Sequence, residues 1–91
     1  MSTVILTAEV EDGAKWERQF MTHGDLFKTY PMNSPIQFTV NGNQVTMSSE
    51  VTDVDGYLAV LKSQETIDAM KNDGVKRDTV QVMVLNKKLE F

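Results

Sequence analysis

The chain reads as an α+β fold with the element order βαββαβ. Three features carry that expectation. Apolar residues alternate with polar ones in four short stretches. An Asn-Gly pair sits between the middle two. Two amphipathic helical regions separate the first strand from this pair of strands, and the pair from the last strand.

The first strand is Thr3 to Val10, with Val4, Leu6, Ala8 and Val10 on one face and Ile5, Thr7 and Glu9 on the other. Glu11-Asp12-Gly13 breaks it, and Asp12 suits the N-cap of a helix because its carboxylate can accept from free backbone N–H groups. The first helix is expected from Gly13 to about Met21. Trp16, Phe20, His23 and Phe27 follow at spacings of four, three and four, which is one helical face. Gly24 interrupts it, with a second short helical piece over Asp25 to Thr29. Pro31 and Pro35 bracket an expected loop, Met32-Asn33-Ser34, since neither proline continues a helix.

Ile36 to Val40 and Val45 to Ser48 both alternate around Asn41-Gly42. That pair supplies the positive-φ residues of a type I′ turn, which makes a hairpin with Phe38 opposite Val45 and Ile36 opposite Met47. The third strand runs on to Val51, and Asp53 or Asp55 caps the next helix. Its first apolar stripe is Tyr57, Leu58 and Leu61. Ser63 restarts the helix, with Ile67 and Met70 on the following stripe, and Gly74 ends it. The last strand is Thr79 to Leu85, and the tail beyond carries an exposed Leu89 and Phe91. Glu9-Val10-Glu11-Asp12-Gly13 and Glu50-Val51-Thr52-Asp53-Val54-Asp55-Gly56 form a weak internal repeat at the two strand-to-helix junctions, as a split βαβ arrangement would contain.

Sorting the strands by parity separates two unlike faces. One is wholly apolar: Val4, Leu6, Ala8, Val10, Ile36, Phe38, Val40, Val45, Met47, Val51, Val80, Val82 and Val84. It belongs under the helices. The other carries Ile5, Thr7, Glu9, Gln37, Thr39, Thr46, Ser48, Glu50, Gln81, Met83 and Leu85. Uncharged polar residues dominate it, interspersed with large apolar ones. A solvated face would hold more charge, so a second copy of the chain packed face to face is expected here.

Length and charge narrow the function classes. The 91 residues make one domain, spanning 1–91. Such a domain buries roughly 60–65% of its unfolded surface, a real but thin core. A net charge of −4 disfavours nucleic acid and anionic membrane surfaces as partners. With no cysteine, disulfides and thiolate chemistry are excluded. No basic stretch followed by an apolar run marks a signal peptide, and no apolar run approaches the ~20 residues that span a bilayer. A cytoplasmic protein is expected.

Several stretches together resemble a known layout. They are Lys15-Trp16-Glu17-Arg18-Gln19-Phe20 with His23, then Glu50 to Asp55 leading into Tyr57-Leu58-Ala59-Val60-Leu61-Lys62-Ser63, and Thr66 to Val75 running into the last strand. The pattern resembles the ferredoxin-like domains of the dimeric α/β-barrel superfamily across nearly the whole chain. The resemblance implies an antiparallel sheet in the order 4-1-3-2 and two sheets packed into a barrel across a dimer axis. Relatives with this fold include cofactor-independent monooxygenases, lactone isomerases, dehydratases, haem-degrading enzymes and ligand-sensing domains. The fold alone does not choose among them.

His23 is the only histidine and the only side chain whose ordinary pKa lies near neutrality. As a catalytic group it is a general acid/base, or a haem ligand, between helix and sheet. As a structural group it is a helix-end histidine bonded to nearby backbone. Trp16, Phe20, Phe27, Tyr30 and Tyr57 are the candidate lining of a ligand pocket, or simply core. Tyr30 and Tyr57 are the better placed for function, since a phenol can orient a substrate. Asp53-Val54-Asp55-Gly56 opens like a calcium loop but fails, because its glycine comes too early and Gln64 stands where the bidentate Glu belongs. No metal site, phosphate loop or nucleophile elbow is present, and no cofactor is expected.

Two functions follow. One is a small-molecule-binding or enzyme-like protein with a cavity reached by His23, Tyr30 or Tyr57, taking a small apolar or aromatic molecule. The other is a non-enzymatic structural or interaction homodimer, with those residues interdigitated and no cavity larger than a water.

Overall fold

The computed structural model describes residues 1–91. The elements follow as β1 (Ser2–Val10), α1 (Gly13–Phe20), α2 (Gly24–Phe27), β2 (Met32–Asn41), β3 (Gln44–Val51), α3 (Val54–Leu61), α4 (Gln64–Asp73) and β4 (Val75–Leu85). The four strands form one antiparallel sheet in the order β2-β3-β1-β4, as the resemblance implies. Each of the two helical regions is broken once.

The helix starts follow from local chemistry. Asp12 accepts from the backbone N–H groups of Ala14 and Lys15 at 3.1 and 3.2 Å. Asp53, rather than Asp55, accepts from Gly56 N at 3.1 Å. Ser63 accepts from Thr66 N, and Gly74 ends α4. The internal repeat has a structural meaning: Val10 and Val51 are both enclosed strand ends, each two residues before its capping aspartate.

The expected apolar face is the core face. Val4, Leu6, Ala8, Val10, Val45 and Val51 are buried, and Ile36, Phe38, Val40, Met47, Val80 and Val82 pack partly buried beside them; Val84 is exposed. The core has two clusters. Leu6, Ala8, Val10 and Val45 hold Trp16 and Phe20 from α1. Val4 and Val51 hold Tyr30 and Tyr57. The opposite face leaves Met83 and Leu85 exposed.

Three expectations change. Met32-Asn33-Ser34 is not a loop. β2 already starts at Met32, pairing Met32 with Val51 and Asn33 with Glu50. An irregularity between Asn33 and Gln37 adds two residues to β2, and it absorbs Pro35 at the sheet edge, where a missing N–H costs no ladder bond. The hairpin register also differs: Phe38 faces Met47 and Val40 faces Val45. Asn41 stays in the strand, the two-residue turn is Gly42-Asn43, and only Gly42 has a positive φ, of 62°. A turn with glycine first and no second positive-φ residue is not type I′. The slip is two residues, so every side chain keeps its face.

The last strand begins at Val75, four residues before Thr79. The charged run Lys76-Arg77-Asp78 hides its start in the sequence. Pairing passes from Thr7–Gln81 to Glu9–Lys76, so β4 carries three extra residues. An odd insertion flips the parity, which brings Val75 onto the core face beside Val80 and Val82. Thr79 fills the gap in the ladder: its hydroxyl accepts from Glu9 N at 2.9 Å and donates to Lys76 O at 2.6 Å.

Candidate functional site

A cavity of about 70 Å³ lies between the helices and the sheet, bordered by residues of both core clusters. One water needs about 10–15 Å³ by the same measure, so the core is not fully interdigitated. That counts against the packed-core alternative. Trp16, Phe20, His23, Phe27, Tyr30 and Tyr57 all border this one cavity.

The aromatic rings form a continuous wall. Trp16 stacks on Phe20 at 4.6 Å between ring centres, and Phe20 meets Phe27 at 4.9 Å and Phe38 at 5.0 Å. Phe27 continues to Tyr30 at 6.5 Å, and Tyr30 to Tyr57 at 5.3 Å. Trp16, Phe20 and Phe27 come from the one stripe of α1 and α2, whose break falls at Met21–His23, with Gly24 already the first residue of α2; Phe38 joins from β2, Tyr30 from the turn after α2 and Tyr57 from α3.

The polar atoms are few. Tyr30 Oη lies 2.7 Å from Thr66 Oγ1, which donates to Val60 O at 2.8 Å. Burial raises the Tyr30 phenol above its ordinary 10.0, and the bond to Thr66 works the other way. Tyr57 is pushed up to about 12, by burial first and then by its neighbour Tyr30. Both phenols are therefore neutral donors across the physiological range.

The structure adds two polar residues to the site that the sequence does not single out. Ser49 is 3% exposed on β3 and borders the cavity. It has the parity of Val45, Met47 and Val51, so a hydroxyl among apolar positions was the available signal. Asp73, 4% exposed, holds His23 Nε2 at 3.0 and 2.9 Å from its two oxygens. Nothing local marked it, because 50 residues separate the pair. Every enclosed side-chain nitrogen or oxygen has a hydrogen-bond partner. Ser49 and Tyr57 both border the cavity, and their hydroxyls make no bond within the chain. No group of three or more His, Cys, Asp or Glu side chains comes together.

An open groove of about 430 Å³ lies alongside, between α1, α2 and the irregular part of β2. It shares Phe20, Phe27, Met32 and Ile36 with the cavity, so these four side chains are the partition between the two spaces.

No protein-family model and no curated protein sequence matches the chain. Solved structures do. A protein from Bordetella bronchiseptica assigned as an antibiotic biosynthesis monooxygenase superposes with a TM-score of 0.75 at 16% identity, covering 97% of each chain. SnoaB, a cofactor-independent oxygenase from Streptomyces nogalater, gives 0.69 at 15% identity over 98% of this chain and 94% of its own. The chain has the ferredoxin-like fold of these monooxygenases. A third, the ActVA-Orf6 monooxygenase of Streptomyces coelicolor, was solved with the ligand nanaomycin D, and gives 0.64 at 10% identity over 99% and 89%. At such identities the likeness is one of fold, and residue roles have to be argued from this chain's own site. No helix is long and apolar enough to cross a membrane.

Proposed function

We propose that this protein binds a small apolar or aromatic molecule between its helices and its sheet, and does so as a homodimer joined through the open sheet face. The observation that carries the reading is the single cavity bordered by Trp16, Phe20, His23, Phe27, Tyr30 and Tyr57. Aromatic walls with a few polar groups are the common composition of small-molecule sites. The cavity alone is small for such a ligand, since these pockets typically hold roughly 300–1,000 Å³. A ligand of that size therefore displaces the Phe20 and Phe27 side chains of the partition and extends into the groove. His23 is the candidate acid/base for any turnover, and Tyr30 and Tyr57 orient the bound molecule.

The dimer is supported by composition and register. On the open face Ile5 lies between Ser48 and Met83, and Thr7 between Thr46 and Gln81. These central rows hold no charge. Solved neighbours that include a ligand-bound monooxygenase support the small-molecule half of the reading. On this reading the dimer works in the cytoplasm.

Native mass spectrometry of freshly purified protein, joined to a thermal-shift screen of planar aromatic and apolar compounds, tests the proposal. A dimer stabilised by at least one compound is the expected result, because a ligand that binds only the folded state raises its stability by about 2.7 kcal/mol at a hundredfold excess over Kd. A monomer, or a dimer indifferent to the whole panel, would overturn it.

A further inference from the structure

Asp73 is a buried carboxylate in a place that disfavours one. It is the last residue of α4, where the helix's own partial charge is negative. Burial without a partner would be costly. Its partners are His23 Nε2, at 3.0 and 2.9 Å, and Asn72 Nδ2, at 3.1 Å from Oδ1. The Asn72 amide also reaches Gln19 Oε1 at 3.2 Å, which ties the arrangement to α1.

An ionised carboxylate only accepts, so the hydrogen of a neutral His23 ring sits on Nε2. The lone pair is then on Nδ1. That atom makes no hydrogen bond within the chain, and since no enclosed nitrogen lacks a partner, Nδ1 is open. The ring borders the cavity, edge-on to Phe27 at 6.4 Å.

We propose that His23 and Asp73 form a base dyad: Asp73 is a positioning residue that holds the imidazole as the Nε2–H tautomer, and Nδ1 takes a proton from a molecule in the cavity. The dyad rests on the small-molecule reading above. In the step, an acidic O–H or C–H bond of the bound molecule breaks and its proton bonds to Nδ1. The electron pair stays on the molecule, which becomes an anion. The imidazolium keeps both ring hydrogens, one of them donated to Asp73. The hydroxyls of Ser49 and Tyr57, unbonded within the chain, are donors bordering the same cavity for the anion so formed.

Because His23 is the only histidine, ring-¹⁵N signals report on it alone, and modification is read at its ring by peptide mass mapping. Long-range ¹H–¹⁵N spectra of the neutral ring are expected to show the Nε2–H tautomer. Diethyl pyrocarbonate, whose carbonyl is attacked by an imidazole lone pair, is expected to modify the native protein at Nδ1. In Asp73→Asn the amide both donates and accepts, so the tautomer preference is lost and modification slows. If that variant fails to fold, the wild-type tautomer and the site of modification still decide. An Nδ1–H tautomer, modification at Nε2, or reaction only at the rate of global unfolding would overturn the dyad, the last by leaving Asp73–His23 a purely structural latch. The reagent needs no cavity ligand, so this result is read independently of the thermal-shift screen.

Discussion

Tyr30 and Thr66 meet at 2.7 Å across 36 residues of sequence, both buried, and join the turn that follows α2 to the first turn of α4. Thr66 Oγ1 gives its one hydrogen to Val60 O, so the shared hydrogen comes from Tyr30. The bond thus has a direction, and the two partners are not equivalent when removed. Tyr30→Phe leaves Thr66 bonded to Val60 and is expected to cost about 0.5–1.5 kcal/mol. Thr66→Val strands the Tyr30 hydroxyl beside the core and is expected to cost more, about 1–3 kcal/mol. Urea unfolding of both variants checks the order, and equal or reversed losses would reject the assigned direction.

Alkaline stability should depend on Tyr57. Its folded pKa is raised to about 12 against an ordinary 10.0. The unfolded chain therefore loses this proton first as pH rises. The stabilisation is fully present below about pH 10 and is lost as pH climbs towards 12, because over that window the unfolded state is the one that ionises. Tyr30 is shifted in the same direction. Unfolding midpoints measured from pH 8 to 12 should fall more steeply for the wild type than for Tyr57→Phe. Parallel curves would show that Tyr57 ionises as readily folded as unfolded.

The open sheet face can be tested without touching the core. Combining Thr7→Lys, Thr46→Lys and Met83→Lys puts charge of one sign in the two central rows of that face. Like charges facing across a two-fold interface repel, and burying each unpaired is costly. The triple variant is expected to run as one chain on light-scattering chromatography where the wild type runs as two, with an unchanged far-UV spectrum. A wild-type-sized variant would reject this face as the interface.

Much of the fold is legible residue by residue because its signals are short-ranged. Alternation along Val4-Ile5-Leu6-Thr7-Ala8 identifies a strand and its buried face from neighbours two apart. Asp12, Asp53 and Ser63 reach backbone N–H groups within three residues, so a helix start can be read where it occurs. The aromatic candidates were readable for the same reason. Trp16, Phe20, His23 and Phe27 share a stripe, and a stripe has one side to bury.

What needed the folded chain is what depends on distant partners. The extra residues in β2 and β4 appear only when each strand is laid against its neighbour, and the odd insertion in β4 decides that Val75 faces the core. The cavity is a property of how two clusters fail to close completely, which no local pattern encodes. Asp73 reads in sequence as a polar residue before a terminating glycine, and becomes a buried partner of His23 only because α4 packs beside α1. Periodicity and capping act over a few residues and are written in them. Register insertions, voids and hydrogen bonds between segments 50 residues apart are set by the packing of one element on another.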